Sequence, residues 1–531
     1  MNLRTYFSTR QTPQSQPIPG STQTPNSAGG FAWAVDDWTR LDRFLILGAE
    51  GGTYYASERT LTVENASAVQ RCVAVDGARA VARIVAISEA GRAPKNDPAI
   101  FALALAAGTG DDGTRRLALA ALPRVCRTGT HLFHFAQYVE GFRGWGRGLR
   151  EAIGAWYNAL PAGDLAYQAV KYRQRDGWSH RDLLRLSHPK PASPQHHALY
   201  HWISRGWEWV GDEPHPDPAL RLVWASERAA RAVDEATVVQ LVRDERLPRE
   251  AVPTQWLTSP LVWEALLEDM PMTALIRNLA TMTRVGLLAP GAAATGRVVA
   301  QLRDGTRLRK ARVHPIAVLA ALTTYASGRG VRGSGAWTPV PALVDALDEA
   351  FYASFGNVEP TGKRLLLALD VSGSMSMGMV AGVPGLTPRV ASAALALVTA
   401  ATEPNHQILG FSHELVEISI SPRQRLDDVL KVIDAIPMGG TDCALPMLWA
   451  EQRRAQVDAF AIYTDSETWF GKIHPAQALR RYRDRLGIPS RLVVLAMTSA
   501  GFTIADPNDG GMLDVIGFDI AVPNLIADFI R

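Results

Sequence analysis

A chain of 531 residues is too long for one ordinary domain and points to two or three. With 47% hydrophobic and 20% charged residues, no apolar run long enough for a membrane helix, and three scattered cysteines (Cys72, Cys126, Cys443) without a CxxC pair, the composition argues against a membrane span, a disulfide framework and a cysteine zinc site. It fits a soluble protein of a reducing cytoplasm. The net charge of +3 is unevenly spread: residues 1–360 hold 40 Lys and Arg against 34 Asp and Glu, residues 361–531 hold 15 against 18.

In chain order, residues 1–30 are rich in Gln, Thr, Ser and Pro and read as a disordered tail. From Phe31 to about Glu349, apolar residues recur at three- and four-residue spacing. "DPAIFALALAAG", "TRRLALAALPRVCR", "GLREAIGAWYNAL", "SERAARAVDEATVVQLVRDE" and "PLVWEALLEDM" each predict a helix, and short Gly, Pro, Asp or Asn breaks separate them. No strict period appears, but stacked helix pairs of this kind build curved solenoids.

Residues 121–190 carry the positive surplus, with 11 basic side chains against five acidic ones. Within them, "GDLAYQAVKYRQRDGWSHRDLLRLSHPKP" predicts a helix from Asp164 to about Arg175, with Tyr167, Lys171 and Arg175 on one face. A "DG" turn follows. Ser179 and Asp182 resemble a capping box opening a second helix, which His188–Pro189 closes. Arg181, Arg185 and His188 form a stripe on that helix, while Leu183, Leu184 and Leu186 turn inward. Two cationic faces across a tight turn suit the phosphates of a folded nucleic acid.

After a linker at "SFGNVEPTGK", strand and helix signals alternate. Strands are expected at 365–369, 407–411, 459–463, 492–497 and 513–516, with an edge strand in "ELVEISI". The helices between them are "PRVASAALALVTAATE", "QRLDDVLKVIDAI" and "PAQALRRYRDRLG". This predicts a doubly wound α/β domain over 361–531 with ligands beyond the carboxyl ends of its strands. Three segments fall there: Asp370, Ser372 and Ser374 in "DVSGS", Thr441 in "GGTD", and Asp465 after "AFAIYT". Two carboxylates with hydroxyls suit a hard divalent cation such as Mg²⁺, with one position open to an outside oxygen. An aspartyl nucleophile of the phosphatase type would need a second carboxylate where Ser372 stands, so binding rather than turnover is expected.

"RFLILGAEGGTYY", "RTGTHLFHFAQ", "GWGRGLREAIGAWYN", "VKYRQRDGWSHRDLLRLSH" and "DVSGSM…GGTDCALPM" together resemble the Ro 60 kDa autoantigen family, a TROVE domain joined to a von Willebrand factor A domain. The resemblance implies an all-α HEAT-like helical-repeat ring over 31–355, then an A-type domain whose metal-ion-dependent adhesion site is Asp370, Ser372, Ser374, Thr441 and Asp465. It also implies a non-enzymatic, monomeric, bacterial protein of noncoding-RNA quality control. Such a protein would bind Y RNA on the outer ring surface and admit single-stranded ends of misfolded RNA to the central hole. It would assist a 3′→5′ exonuclease such as polynucleotide phosphorylase. For Y RNA contacts the resemblance points to Lys171, Arg175 and His188, and proximity adds His180 and Arg181. The N-terminal tail departs from the family's pattern, and "SMSMGMVAGVPG" is unusually rich in Met and Gly, so a different partner is expected at the loop beside the ion. The alternative is a protein-binding adhesion module using the ion to capture a partner's carboxylate, with an incidental basic patch; a metal-dependent hydrolase is a third reading.

Overall fold

The structure is a computed structural model that describes residues 11–48, 58–207, 211–330, 335–355, 360–380, 386–418, 420–421, 424–437, 439–518 and 522–531. Helices dominate from Asp37–Leu47 to Pro341–Ala353. Side-chain caps start many of them: Asp76, Asp111, Thr128, Ser179, Ser193 and Asp234 each accept a backbone N–H of the first turn. Two expected helices are broken. "SERAARAVDEATVVQLVRDE" divides into Pro218–Ala230 and Glu235–Glu245, because Asp234 turns away to accept from Thr237. "TRRLALAALPRVCR" divides into Asp112–Ala120 and Leu122–Val125, because Pro123 has no N–H to continue the ladder. The stack closes on itself, with His314 Nε2 3.0 Å from the Arg92 carbonyl oxygen.

Among the described residues the main sheet of the α/β domain has six strands: β5 (Leu365–Asp370), β6 (His406–Phe411), β7 (Leu415–Glu417), β8 (Ala459–Thr464), β9 (Arg491–Ala496) and β11 (Met512–Ile516), in the order β11-β9-β8-β5-β6-β7. All pair in parallel except the edge strand β7. Side chains alternate across the sheet. Leu365, Leu367 and Leu369 join an apolar core continuous with that of the helical domain, and Leu366 and Ala368 face a second core with Met447, Leu479 and Tyr482. The shared core welds the two domains along one face.

Residues 11–34 depart from the expectation of a disordered tail (residues 1–10 lie outside those described). β1 (Thr24–Pro25) pairs with β2 (Phe31–Ala34), and β2 pairs with β10 (Phe502–Thr503) of the α/β domain. Phe31 therefore opens a strand rather than a helical region. Composition misled here because the polar side chains find buried partners: Gln14 is 0% exposed and Asn26 7%. A second tie is Arg43, from the helix Asp37–Leu47. It is 1% exposed and donates to Asp514 Oδ2 at 2.6 Å and the Phe502 carbonyl at 2.9 Å, and also to the Ala500 carbonyl. Among the described residues no helix is long and apolar enough to cross a membrane.

Candidate functional site

β5 and β8 are neighbours, and the chain leaves β5 for β6 on the opposite side, so strand order reverses between them. Their carboxyl ends are where such sheets bind ligands. Asp370 ends β5. Its Oδ1 accepts the Ser372 N–H at 2.9 Å and its Oδ2 the Thr464 hydroxyl at 2.6 Å. The Ser372 and Ser374 hydroxyls are 3.1 Å apart, and Ser374 hydrogen-bonds Asp465, just beyond β8. All four are buried. Burial, and then the facing Asp465, push the Asp370 carboxyl up to about 7; burial also raises Asp465.

Among the described residues neither carboxylate has a Lys or Arg partner. The buried Arg389 gives Nη2 to the carbonyls of Val371 (2.8 Å) and Ser372 (3.3 Å) and Nη1 to Asp434 (3.2 Å). Buried carboxylates without a counter-charge, beside aligned hydroxyls, fit a hard divalent cation. No three His, Cys, Asp or Glu converge among the described residues, so such an ion would depend on hydroxyl and water oxygens, which suits Mg²⁺ and not Zn²⁺.

Thr441 lies on a third loop, 1% exposed. Its carbonyl accepts the N–H groups of Trp469 and Phe470, both at 3.1 Å, and the Thr468 hydroxyl at 3.2 Å. The loop reaches the carboxylates through Cys443, whose Sγ is 3.7 Å from the Thr464 hydroxyl that donates to Asp370. Gly440 permits the approach, since a methyl there would stand 3.0 Å from ring carbons of Trp469 and Phe470.

The basic region has a different construction. The helix Ala162–Lys171 ends four residues before Arg175, which lies on β3 (Gln174–Arg175), paired with β4 (Trp178–Ser179). Tyr167, Lys171 and Arg175 therefore do not share a helix face. The hairpin docks on the helix Gly129–Phe142: Trp178 Nε1 donates to Gln137 at 3.0 Å, and Asp176 pairs with His134. Arg175 is thus presented, exposed, from an anchored turn, while half-buried Lys171 donates to the Tyr167 hydroxyl at 2.9 Å. The capping box of Ser179 and Asp182 forms as expected, and the helix His180–Ser187 ends at His188 in a left-handed conformation (φ 46°). Arg181, Arg185 and His188 are exposed on it.

His180 does not join them. It is 2% exposed, its Nδ1 lies 2.7 Å from the Tyr157 hydroxyl, and its ring meets Phe133 edge-on. As the first residue of an amphipathic helix it turns toward the core, away from the surface. The expectation that His180 touches RNA is therefore corrected: it is a core residue.

Family models match both halves: the TROVE domain over residues 24–207 and 221–324, and the Ro60 vWA domain over 364–530. The chain belongs to the Ro60 family. It is 43% identical to the RNA-binding protein RO60 of Deinococcus radiodurans, across 100% of this chain and 99% of that protein. To the RNA-binding protein RO60 of Caenorhabditis elegans it is 36% identical, across 96% and 90%. The crystal structure of the Deinococcus radiodurans RO (RSR) protein superposes with a TM-score of 0.72 at 44% identity, covering 93% of this chain and 99% of that one.

Within this Ro60 frame some of the cations fall in two clefts, whose walls also carry acids (Glu151 in one, Glu250 and Asp269 in the other). His188 lines one with Trp145, Arg147, Arg150 and Asn158; Lys171 lines another with Arg246, Arg249 and Asn278. Arg246 and Arg249 escaped sequence reading because "RDERLPRE" is nearly neutral and 75 residues away from Lys171. Arg147 is held by Glu151 at 2.8 Å, whereas Arg143, Arg150, Arg181, Arg185 and Lys190 have no acidic partner among the described residues.

Proposed function

We propose that this Ro60 family member is a non-enzymatic RNA-binding protein of noncoding-RNA quality control. The carrying observation is that the exposed Arg143, Arg150, Arg181, Arg185 and Lys190, around His188 and the docked hairpin, have no acidic partner among the described residues. Cations kept free of carboxylates are available to phosphates, and displaced counterions then drive binding. The names of the relatives agree with this reading. Y RNA would lie on the outer surface against Lys171, Arg175, Arg181 and His188, while the ring would take unpaired ends of misfolded RNA and pass them to a cytoplasmic 3′→5′ exonuclease. Selection would follow shape and strandedness more than base sequence.

The test is the double variant Lys171→Ala, Arg175→Ala, titrated with Y RNA across a salt series. Weaker binding is expected, with the log–log salt slope reduced by about 0.7 for each single-strand phosphate that the variant no longer neutralises. Unchanged affinity and slope would refute the outer-surface assignment.

At the α/β domain, a divalent cation such as Mg²⁺ would be held by Asp370, Ser372, Ser374, Thr441 and Asp465. When bound it supplies positive charge between two buried carboxylates and a coordination position for a partner's carboxylate. One observation favours this protein-docking role: Trp469 and Phe470, whose amides fix Thr441, are 40% and 51% exposed. Docking there complements RNA binding on the helical domain.

A further inference from the structure

Residues 11–31 cross the α/β domain directly behind the loops that carry the candidate metal ligands. Gln14 Nε2 donates to Asp442 Oδ1 at 2.7 Å and to the Ile473 carbonyl at 2.8 Å, while its Oε1 accepts the Thr468 hydroxyl. Its own backbone N–H donates to the Gly471 carbonyl at 2.8 Å, and its carbonyl accepts from Phe31 at 2.9 Å. Further along, Asn26 Nδ2 donates to the Thr468 carbonyl at 2.7 Å, and the N–H groups of Ser27 and Ala28 donate to Glu467 Oε2 at 2.9 and 3.2 Å. Gly30 lies so close that a methyl group would stand 2.1 Å from the Thr468 carbonyl oxygen.

These bonds join two segments that nothing covalent holds together. Thr441–Asp442 comes from the loop after the helix Leu426–Asp434 and Asp465–Gly471 from the end of β8, and each carries one candidate ligand. Gln14 grips the residue after Thr441 with one end of its amide and the residue three beyond Asp465 with the other. A buried amide with all these partners satisfied fixes both segments at once. Groups of this sort beside a metal typically set how well its ligands are oriented.

We infer that the N-terminal segment is an intramolecular strap, and that Gln14 is a positioning residue for the divalent-cation site. The inference rests on the metal reading above. A strap of this kind makes cation affinity depend on hydrogen bonds from a segment that lies hundreds of residues away in sequence from the ligands it serves.

The experiment is calorimetric titration of Mg²⁺ into three full-length proteins: wild type, Gln14→Glu, and Gln14→Glu with Asp442→Asn. In the single variant two carboxylates face each other where Gln14 now donates to Asp442, and affinity is expected to fall roughly 10–100-fold. In the pair, the amide introduced at position 442 donates to the carboxylate introduced at position 14, while the Ile473 carbonyl still lacks its donor, and affinity is expected to recover part of the loss. Recovery by a compensating change distinguishes positioning from a general loss of folding, which a second substitution in a buried site would deepen. Wild type that binds no Mg²⁺ overturns the metal reading itself. Wild type that binds, with Gln14→Glu binding equally well, overturns the strap alone; so does a pair that binds no better than the single variant.

Discussion

Replacing His180 separates a core residue from an RNA contact. The imidazole is 2% exposed, and burial holds its pKa at about 4 against an ordinary 6.5. The fold keeps the ring neutral, whereas the unfolded chain takes up a proton below 6.5. Stability from this residue is therefore complete above pH 6.5, is lost as pH falls, and levels off below about 4. The gap between the two values corresponds to about 3 kcal/mol, of which about 2 kcal/mol is gone by pH 5. His180→Phe abolishes that pH-dependent loss. It also leaves the Tyr157 hydroxyl, 0% exposed and 2.7 Å from Nδ1, without its partner, at about 1–3 kcal/mol. The variant should be the less stable protein at pH 7.5, and the difference should shrink or reverse at pH 5. Urea unfolding at both pH values measures this, and Y RNA titration at pH 7.5 of the folded proteins should give equal affinities. A stability difference between wild type and variant that is the same at pH 7.5 and pH 5, or a tenfold loss of RNA affinity at unaltered stability, would refute the assignment to the core.

Arg43→Met strands Asp514 and two carbonyls at the domain junction. Removing one member of such a buried pair should cost about 3–5 kcal/mol, read from the urea transition, and a loss below about 1 kcal/mol would mean that the tie is ornamental. Mg²⁺ should raise the melting temperature of the wild type but not of Asp370→Asn, while EDTA leaves RNA affinity intact. A chelator-sensitive RNA affinity would tie the two sites together and contradict their independence.

Much of the α/β domain was legible because its signals are local. "LLLALD" is a run buried on both faces, and the acid at its end falls where the strand stops, so Asp370 and Asp465 could be placed from strand boundaries alone. The capping box at Ser179 was legible for the same reason: one side chain answers one backbone group three residues on. What escaped depends on distant partners. The polar residues of 11–30 look like tail until Asp442, Glu467 and Thr468 are seen to receive them. The helix expected to reach Arg175 stops at Lys171, because the hairpin's tip is held by His134 and its Trp178 by Gln137, contacts that helical periodicity cannot register. His180 sat in a basic string, and only the packing of Tyr157 and Phe133 against it reveals which way it turns.

The pairing of β2 with β10 has a consequence for biosynthesis. Some 470 residues separate these two strands in the chain, so the first leaves the ribosome long before its partner is made. Throughout that interval Phe31–Ala34 is an open edge, able to pair with another chain. Slowing translation between the codons of these two strands, or overproducing the protein, should therefore favour exchange of this strand between neighbouring polypeptides.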